Sequence, residues 1–338
     1  MPTPAAMKWF HTICVLSGCL LLGYLVWDSG WDSLWHQMGL IGWGFVLFLA
    51  MELLADLCHT LAWRACLPSV HRTISLGRLF CFRLAGYAFN TLTPTAAVGG
   101  EIVRGALVAG VHAGPEATAG VMVDKLSHTV AQVLFVSLGS LVVIWGMELS
   151  SGVWTALAAA SLLLVLGSII FLVLQIRGQV GSLLRWLQAR NIGGRRLAQI
   201  TDHMNAVDET LQHFYRAHPE RLFLSFIWHT AGLACGIVQS WWFLSLLTAD
   251  PTFPVAAGLW FLGSWFDMVG FAVPMNIGLL EGSRVLSCQL LGLPAAVGLT
   301  YGIALRLEQL IRAGVGLGCY ALFIVPSGSL RRGRALSS

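Results

Sequence analysis

Apolar stretches long enough to cross a bilayer, about 17–25 residues each, recur from one end of this 338-residue chain to the other. They predict spans at about residues 10–27, 40–63, 117–147, 152–175, 222–248 and 295–325. Charged residues make up 11% of the chain and hydrophobic residues 57%. Ordinary soluble domains carry roughly 25% charged residues, so the solvent this sequence suits is lipid. A chain in lipid must satisfy its backbone internally. The expected fold class is therefore all-α, a polytopic integral membrane protein. The first apolar run lacks a small-residue cleavage site and reads as a retained span, not a signal peptide. Eight cysteines lie within or beside apolar segments with no CxxC spacing, a pattern that argues against a metal site or a disulfide framework. No cofactor is expected. The net charge of +4 does not point to nucleic acid, because the basic residues sit between the spans.

Those basic residues also orient the chain. Arg64, Arg72, Arg78 and Arg83 follow the second predicted span, seven arginines lie between Arg177 and Arg221, and Arg331, Arg332 and Arg334 close the sequence. Placing all of them on the cytoplasmic side satisfies the positive-inside rule and puts both termini inside. The reading is a single transmembrane domain over residues 1–326 with a basic tail at 327–338. Residues 176–221 form either an interfacial helical hairpin or a solvated basic linker drawn to anionic lipid.

One polar interruption occurs twice. In "NTLTPTAAVGGEIVRG", Pro94 is followed seven residues later by Glu101 and ten later by Arg104, with Gly99 and Gly100 between. In "FAVPMNIGLLEGSRVL", Pro274 precedes Glu281 by seven and Arg284 by ten, with Gly278 between. The chain has only eight glutamates and eighteen arginines, so the coincidence carries information. Each copy precedes a proline (Pro115, Pro294) and then a span with internal charges: Asp124 and Lys125 in one, Arg306 and Glu308 in the other. The topology makes the copies inverted repeats, at about residues 8–147 and 152–325. Each contains a re-entrant broken-helix hairpin, at about 76–112 and 254–293. Inverted repeats with discontinuous helices mark transporters. Proline breaks the helix, glycine permits close backbone approach, and the restarting helix offers free N–H groups to an anion.

Glu101 and Arg104 share a helix face, and either bind a substrate or neutralise one another. Asn90 and Asp267, near the two interruptions, are further candidates. Glu52, Asp56 and His59 are spaced four and three apart on one face of the second span. They would carry protons or neutralise Arg104 and Lys125. His128 reads as a core histidine or a proton carrier; His229 and Arg312 are weaker candidates. There is no GxSxG, HExxH or P-loop, so no catalytic residue is assigned.

The segments "AWRACLP", "FNTLTPTAAVGGEIVRGALV", "VMVDKLSHTVAQVLF" and "FAVPMNIGLLEGSRVLSCQLLGLPAAVGLTYGIALRLEQL" resemble the flippase-like transmembrane domain of lysylphosphatidylglycerol synthases, the membrane half of the multiple peptide resistance factor. Among its stand-alone members the nearest likeness is to the HpnL type associated with hopanoid biosynthesis. The resemblance covers about residues 8–325. It implies translocation of an aminoacylated or otherwise modified lipid across the bacterial inner membrane, with Glu101, Arg104, Asp124, Glu281 and Arg306 at positions where the family keeps polar residues. Two departures stand out: Lys125 where arginine is expected, and Arg284 where many relatives are uncharged. The sequence ends shortly after its last span, so the family's aminoacyl-transferase activity is not expected of it.

The resulting expectation is a lipid flippase working by alternating access without an ATP site. Arg104, Lys125, Arg284 and Arg306 would hold an anionic head group, and Glu52, Asp56, Glu101, Asp124, Glu281 and Glu308 would balance charge, select the head group or carry protons. Partners would be membrane lipids (phospholipid, aminoacylated lipid or hopanoid) and a lipid-modifying enzyme. Two alternatives stand beside it: an intramembrane enzyme acting on a lipid-linked substrate, and a scaffold of a lipid-modifying complex.

Overall fold

A computed structural model describes residues 27, 31–92, 99–111, 116–146, 151–176, 214, 217–248, 250–269 and 278–335. The described chain is helical throughout: α1 Trp31–Ile41, α2 Gly44–Cys66, α3 Leu76–Leu92, α4 Gly99–Val111, α5 Glu116–Trp145, α6 Ser151–Ile176, α7 Pro219–Leu247, α8 Phe253–Val269, α9 Leu279–Leu290 and α10 Ala295–Ala335, with one 3-10 turn at His71–Thr73. The first predicted span, Pro94, Pro115, Pro274 and most of 176–221 lie outside the described residues.

Local chemistry sets the helix ends. Leu67 precedes Pro68 and is extended, at ψ 144°, so α2 stops there, as the residue before proline tends to. Pro219 occupies the first turn of α7, where its missing N–H costs nothing. Gly278 sits at φ 74° at the start of α9 and donates its N–H to Glu281 Oε2 at 2.9 Å.

Among the described residues three helical stretches are long and apolar enough to cross a membrane: Gly44–Cys66, Ala119–Trp145 and Pro219–Leu247. In α10 the length is present, but Arg306, Glu308 and Arg312 interrupt the apolar run. Helix α1 was not anticipated; the sequence reading left its residues in a short loop. Helix α10 continues past the expected end at 325 to Ala335.

Both expected hairpins are present as paired half-helices. At a rise of about 1.5 Å per residue, the 13 residues of α4 and the 12 of α9 reach about 20 Å, short of the roughly 30 Å hydrocarbon core. The packing is exchanged between the halves. Helix α2 lies along α7, α3 packs on α10 while α8 packs on α5, and each half-helix α4 or α9 packs on the helix that follows it. Each hairpin sits on its own apolar cluster. Trp63, Leu67, Leu79, Phe82, Leu107 and Val108 support the first; Phe48, Phe243, Leu259, Leu280 and Tyr301 support the second. Large exposed side chains such as Leu162, Leu163, Leu166 and Ile170 on α6 cost nothing against lipid tails.

Candidate functional site

Both tip glutamates occupy the third residue of their half-helix, Glu101 in α4 and Glu281 in α9, where a carboxylate faces the positive end of the helix dipole. Each pairs with a cation on the next helix. Glu101 Oε1 lies 3.3 Å from Lys125 Nζ of α5. Glu281 accepts from Arg306 Nε of α10 at 2.9 Å and from its Nη2 at 3.3 Å. The two arginines one turn further along also have carboxylate partners. Arg104 donates to Glu101 Oε2 at 2.9 Å and to Asp124 Oδ2 at 2.5 Å, with its guanidinium 4.0 Å from the Trp63 ring centroid. Arg284 donates to Asp267 Oδ2 at 2.7 Å and to Ser283 Oγ at 3.0 Å, and Ser283 donates in turn to Asp267 Oδ1 at 3.1 Å.

All four predicted cations are therefore engaged, and exposure divides them. The side chains of Arg104 and Arg284 are 6% and 8% exposed, those of Lys125 and Arg306 40% and 21%. A buried arginine with satisfied partners holds its helix in place. Lys125 and Arg306 are the more exposed of the four, and a ligand reaches them more readily. Asn90 Oδ1 accepts from the N–H of Gly100 at 2.7 Å, so it braces the first tip.

The expected roles of Glu52 and Asp56 need correction. These residues do not neutralise Arg104 or Lys125. Glu52 Oε1 and Asp56 Oδ2 lie 2.7 and 2.9 Å from Arg312 Nη1, and Arg83 Nε donates to Asp56 Oδ1 at 3.1 Å. Glu308, one turn before Arg312, completes the set as a further ion pair. Arg312 stacks 4.0 Å from the Tyr87 ring centroid. Arg83, expected in a basic loop, and Arg312, a weaker candidate, reach these acids because α3 packs on both α2 and α10, and no sequence signal marks that contact. His59 leaves the acids altogether. Its Nδ1 lies 2.9 Å from His229 Nδ1, His229 Nε2 lies 3.1 Å from Asp124 Oδ1, and His128 packs against both rings.

Two apolar grooves run beside α5, the smaller against α7 and the larger against α8 and the end of α9. One of about 230 Å³ is lined by Leu126, Val130, Leu134, Leu222 and Phe226. The other, about 780 Å³, is lined by Val142, Ile237, Phe253, Phe261 and Leu290 among others.

Residues 12–316 match the lysylphosphatidylglycerol synthase TM region. The chain belongs to this family. No curated protein and no solved structure matches it. As a member of the lysylphosphatidylglycerol synthase TM-region family the protein is a multi-pass, lipid-associated membrane domain, and its charged networks lie in the interior of that domain. Buried ionisable groups in such a setting are expensive and mark function more often than in water-soluble proteins.

Proposed function

We propose that the protein moves a lipid with a phosphate-containing head group across the bacterial inner membrane by alternating access, with both termini cytoplasmic and the lipid left chemically unchanged. One observation carries the reading: the tip glutamate of each hairpin is held by a partly exposed cation on the following helix, Lys125 at one tip and Arg306 at the other. A head-group phosphate exchanges for the glutamate on that cation, and the released glutamate receives an amine if the head group bears one. Arg104 and Arg284 keep the half-helices in register while this happens. The apolar grooves beside α5 fit acyl chains that stay in the bilayer. Around Arg312 and Arg83, the carboxylates of Glu52, Asp56 and Glu308 outnumber the cations by one, which suits uptake of a driving proton.

Reconstituted liposomes test this. A head-group-labelled aminophospholipid is expected to cross faster than phosphatidylglycerol of matched chains, and to be recovered intact. Lys125→Gln or Arg306→Gln should each slow crossing at least tenfold with the protein still folded. Equal rates for the two lipids would remove the amine from the reading. Unaltered rates in both variants would remove the tips, and chemically altered lipid would favour an intramembrane enzyme.

A further inference from the structure

The interior of the bundle holds a cluster that the lipid reading does not use. His59 of α2, His128 of α5 and His229 of α7 bring their rings together with centroids 4.9, 5.2 and 4.8 Å apart. One nitrogen from each lies within 4.8 Å of the other two. We propose that these three imidazoles bind a divalent transition-metal ion of the zinc type.

Geometry, hydrogen bonding and charge each support the site. A tetrahedral ion with Zn–N bonds of about 2.0–2.1 Å needs its nitrogens about 3.3–3.4 Å apart. His59 Nδ1 and His229 Nδ1 are already 2.9 Å apart, so modest ring rotations close the remaining distances. Only part of the set is joined by hydrogen bonds. Among the described residues His128 meets the other two rings through edge contacts and not through a hydrogen bond. Asp124 supplies the outer support that metal-binding histidines commonly have. Its Oδ1 accepts from His229 Nε2 while its Oδ2 is held by Arg104, which turns the lone pair of His229 Nδ1 toward the cluster. Asp124 is also the carboxylate in direct contact with the trio, through His229. Imidazole ligands suit zinc, copper and nickel, and a site of three leaves a fourth position for water or an anionic oxygen. The ion would join three helices contributed by both halves of the molecule.

The site went unnoticed in the sequence because its ligands are 69 and 101 residues apart along the chain and form no short motif. The test uses full-length protein purified in detergent without a polyhistidine tag, stripped with chelator, and titrated with Co²⁺. Wild-type protein is expected to take up one ion per chain with the visible absorption of tetrahedral cobalt, and to exchange it for Zn²⁺ measured by elemental analysis. His59→Gln, His128→Gln and His229→Gln should each abolish that absorption. Asp124→Asn should weaken binding about 10–100-fold, while His36→Gln, on α1, should leave it unchanged. His128→Gln is the decisive variant, since His128 meets the other two rings through edge contacts and its loss disturbs the fold least; helicity and a single gel-filtration peak check this. No tetrahedral spectrum in the wild type, or equal metal content in the wild type and His128→Gln, overturns the proposal and leaves an adventitious ion only. Metal content is read without a transport assay, so this result and the result for lipid movement stand apart.

Discussion

Arg312 neutralises more charge than any other side chain described. It meets Glu52, Asp56 and Glu308 and covers the Tyr87 ring, while the neighbouring Arg83 contacts only Asp56 of that group. Removing one partner of a buried pair typically costs about 3–5 kcal/mol because the other is left uncompensated. Arg312→Met should therefore lower the thermal unfolding temperature of detergent-solubilised protein sharply. Arg312→Lys should recover only part of the loss, because an ammonium cannot reproduce the planar fork that serves several carboxylates. Adding Glu52→Gln to Arg312→Met should restore some stability by removing one stranded charge. A melting curve unmoved by Arg312→Met would show that water reaches the cluster and screens it.

Helices in this bundle approach at positions without side chains. A Cβ on Gly100 would collide with the carbonyl of Gly86 across α3 and α4, and one on Gly316 would collide with the carbonyl of Leu84 across α3 and α10. Without a hydrophobic drive between helices in lipid, such close contacts supply the packing. Gly316→Leu should part α10 from α3 and cost about 1–3 kcal/mol or more, as overpacking does. Gly318, two residues on, faces open space, so Gly318→Leu should be neutral. The paired melting curves check this, and similar losses in both variants would mean that helix α10 itself, not its contact, is sensitive. Because α3 carries Arg83 and α10 carries Arg306, Glu308 and Arg312, this contact also sets the alignment of the charged networks.

The whole molecule repeats its contacts across the two halves: α3 on α10 and α8 on α5, with α2 and α7 side by side. We infer from the basic loops and from this exchange that the hairpins enter from opposite faces of the membrane. In a background with the native cysteines replaced, a single cysteine near Gly99 should react with a small polar reagent from the cytoplasmic side, and one near Gly278 from outside. Labelling of both from one face would rule out inverted orientation. The two halves are not equivalent in chemistry. Arg104 finds Asp124 on the helix after its hairpin, whereas Arg284 finds Asp267 on the half-helix before it, and only the first half contributes two histidines to the trio. Under the proposed alternating-access function, an asymmetric pair of tips lets the two states differ in affinity.

What the residues determined alone was the membrane as solvent and the two pairs of half-helices. Run length, proline and glycine placement, and the repeated Glu-x-x-Arg spacing are local properties, and local properties survive in one dimension. Helix α1 has 11 residues, too few to read as a span. The partner of each charge was not legible. Glu52 and Asp56 could neutralise any cation at their depth; only the packing of α2, α3 and α10 gave them Arg312 and Arg83 in place of Arg104 and Lys125. The same holds for His59, which shares a helix face with two acids in sequence yet meets His229 and His128 in space. A long-range ion pair or ring contact depends on how helices far apart in the chain rotate about their axes, and that rotation is set by apolar packing and glycine contacts distributed over the whole bundle.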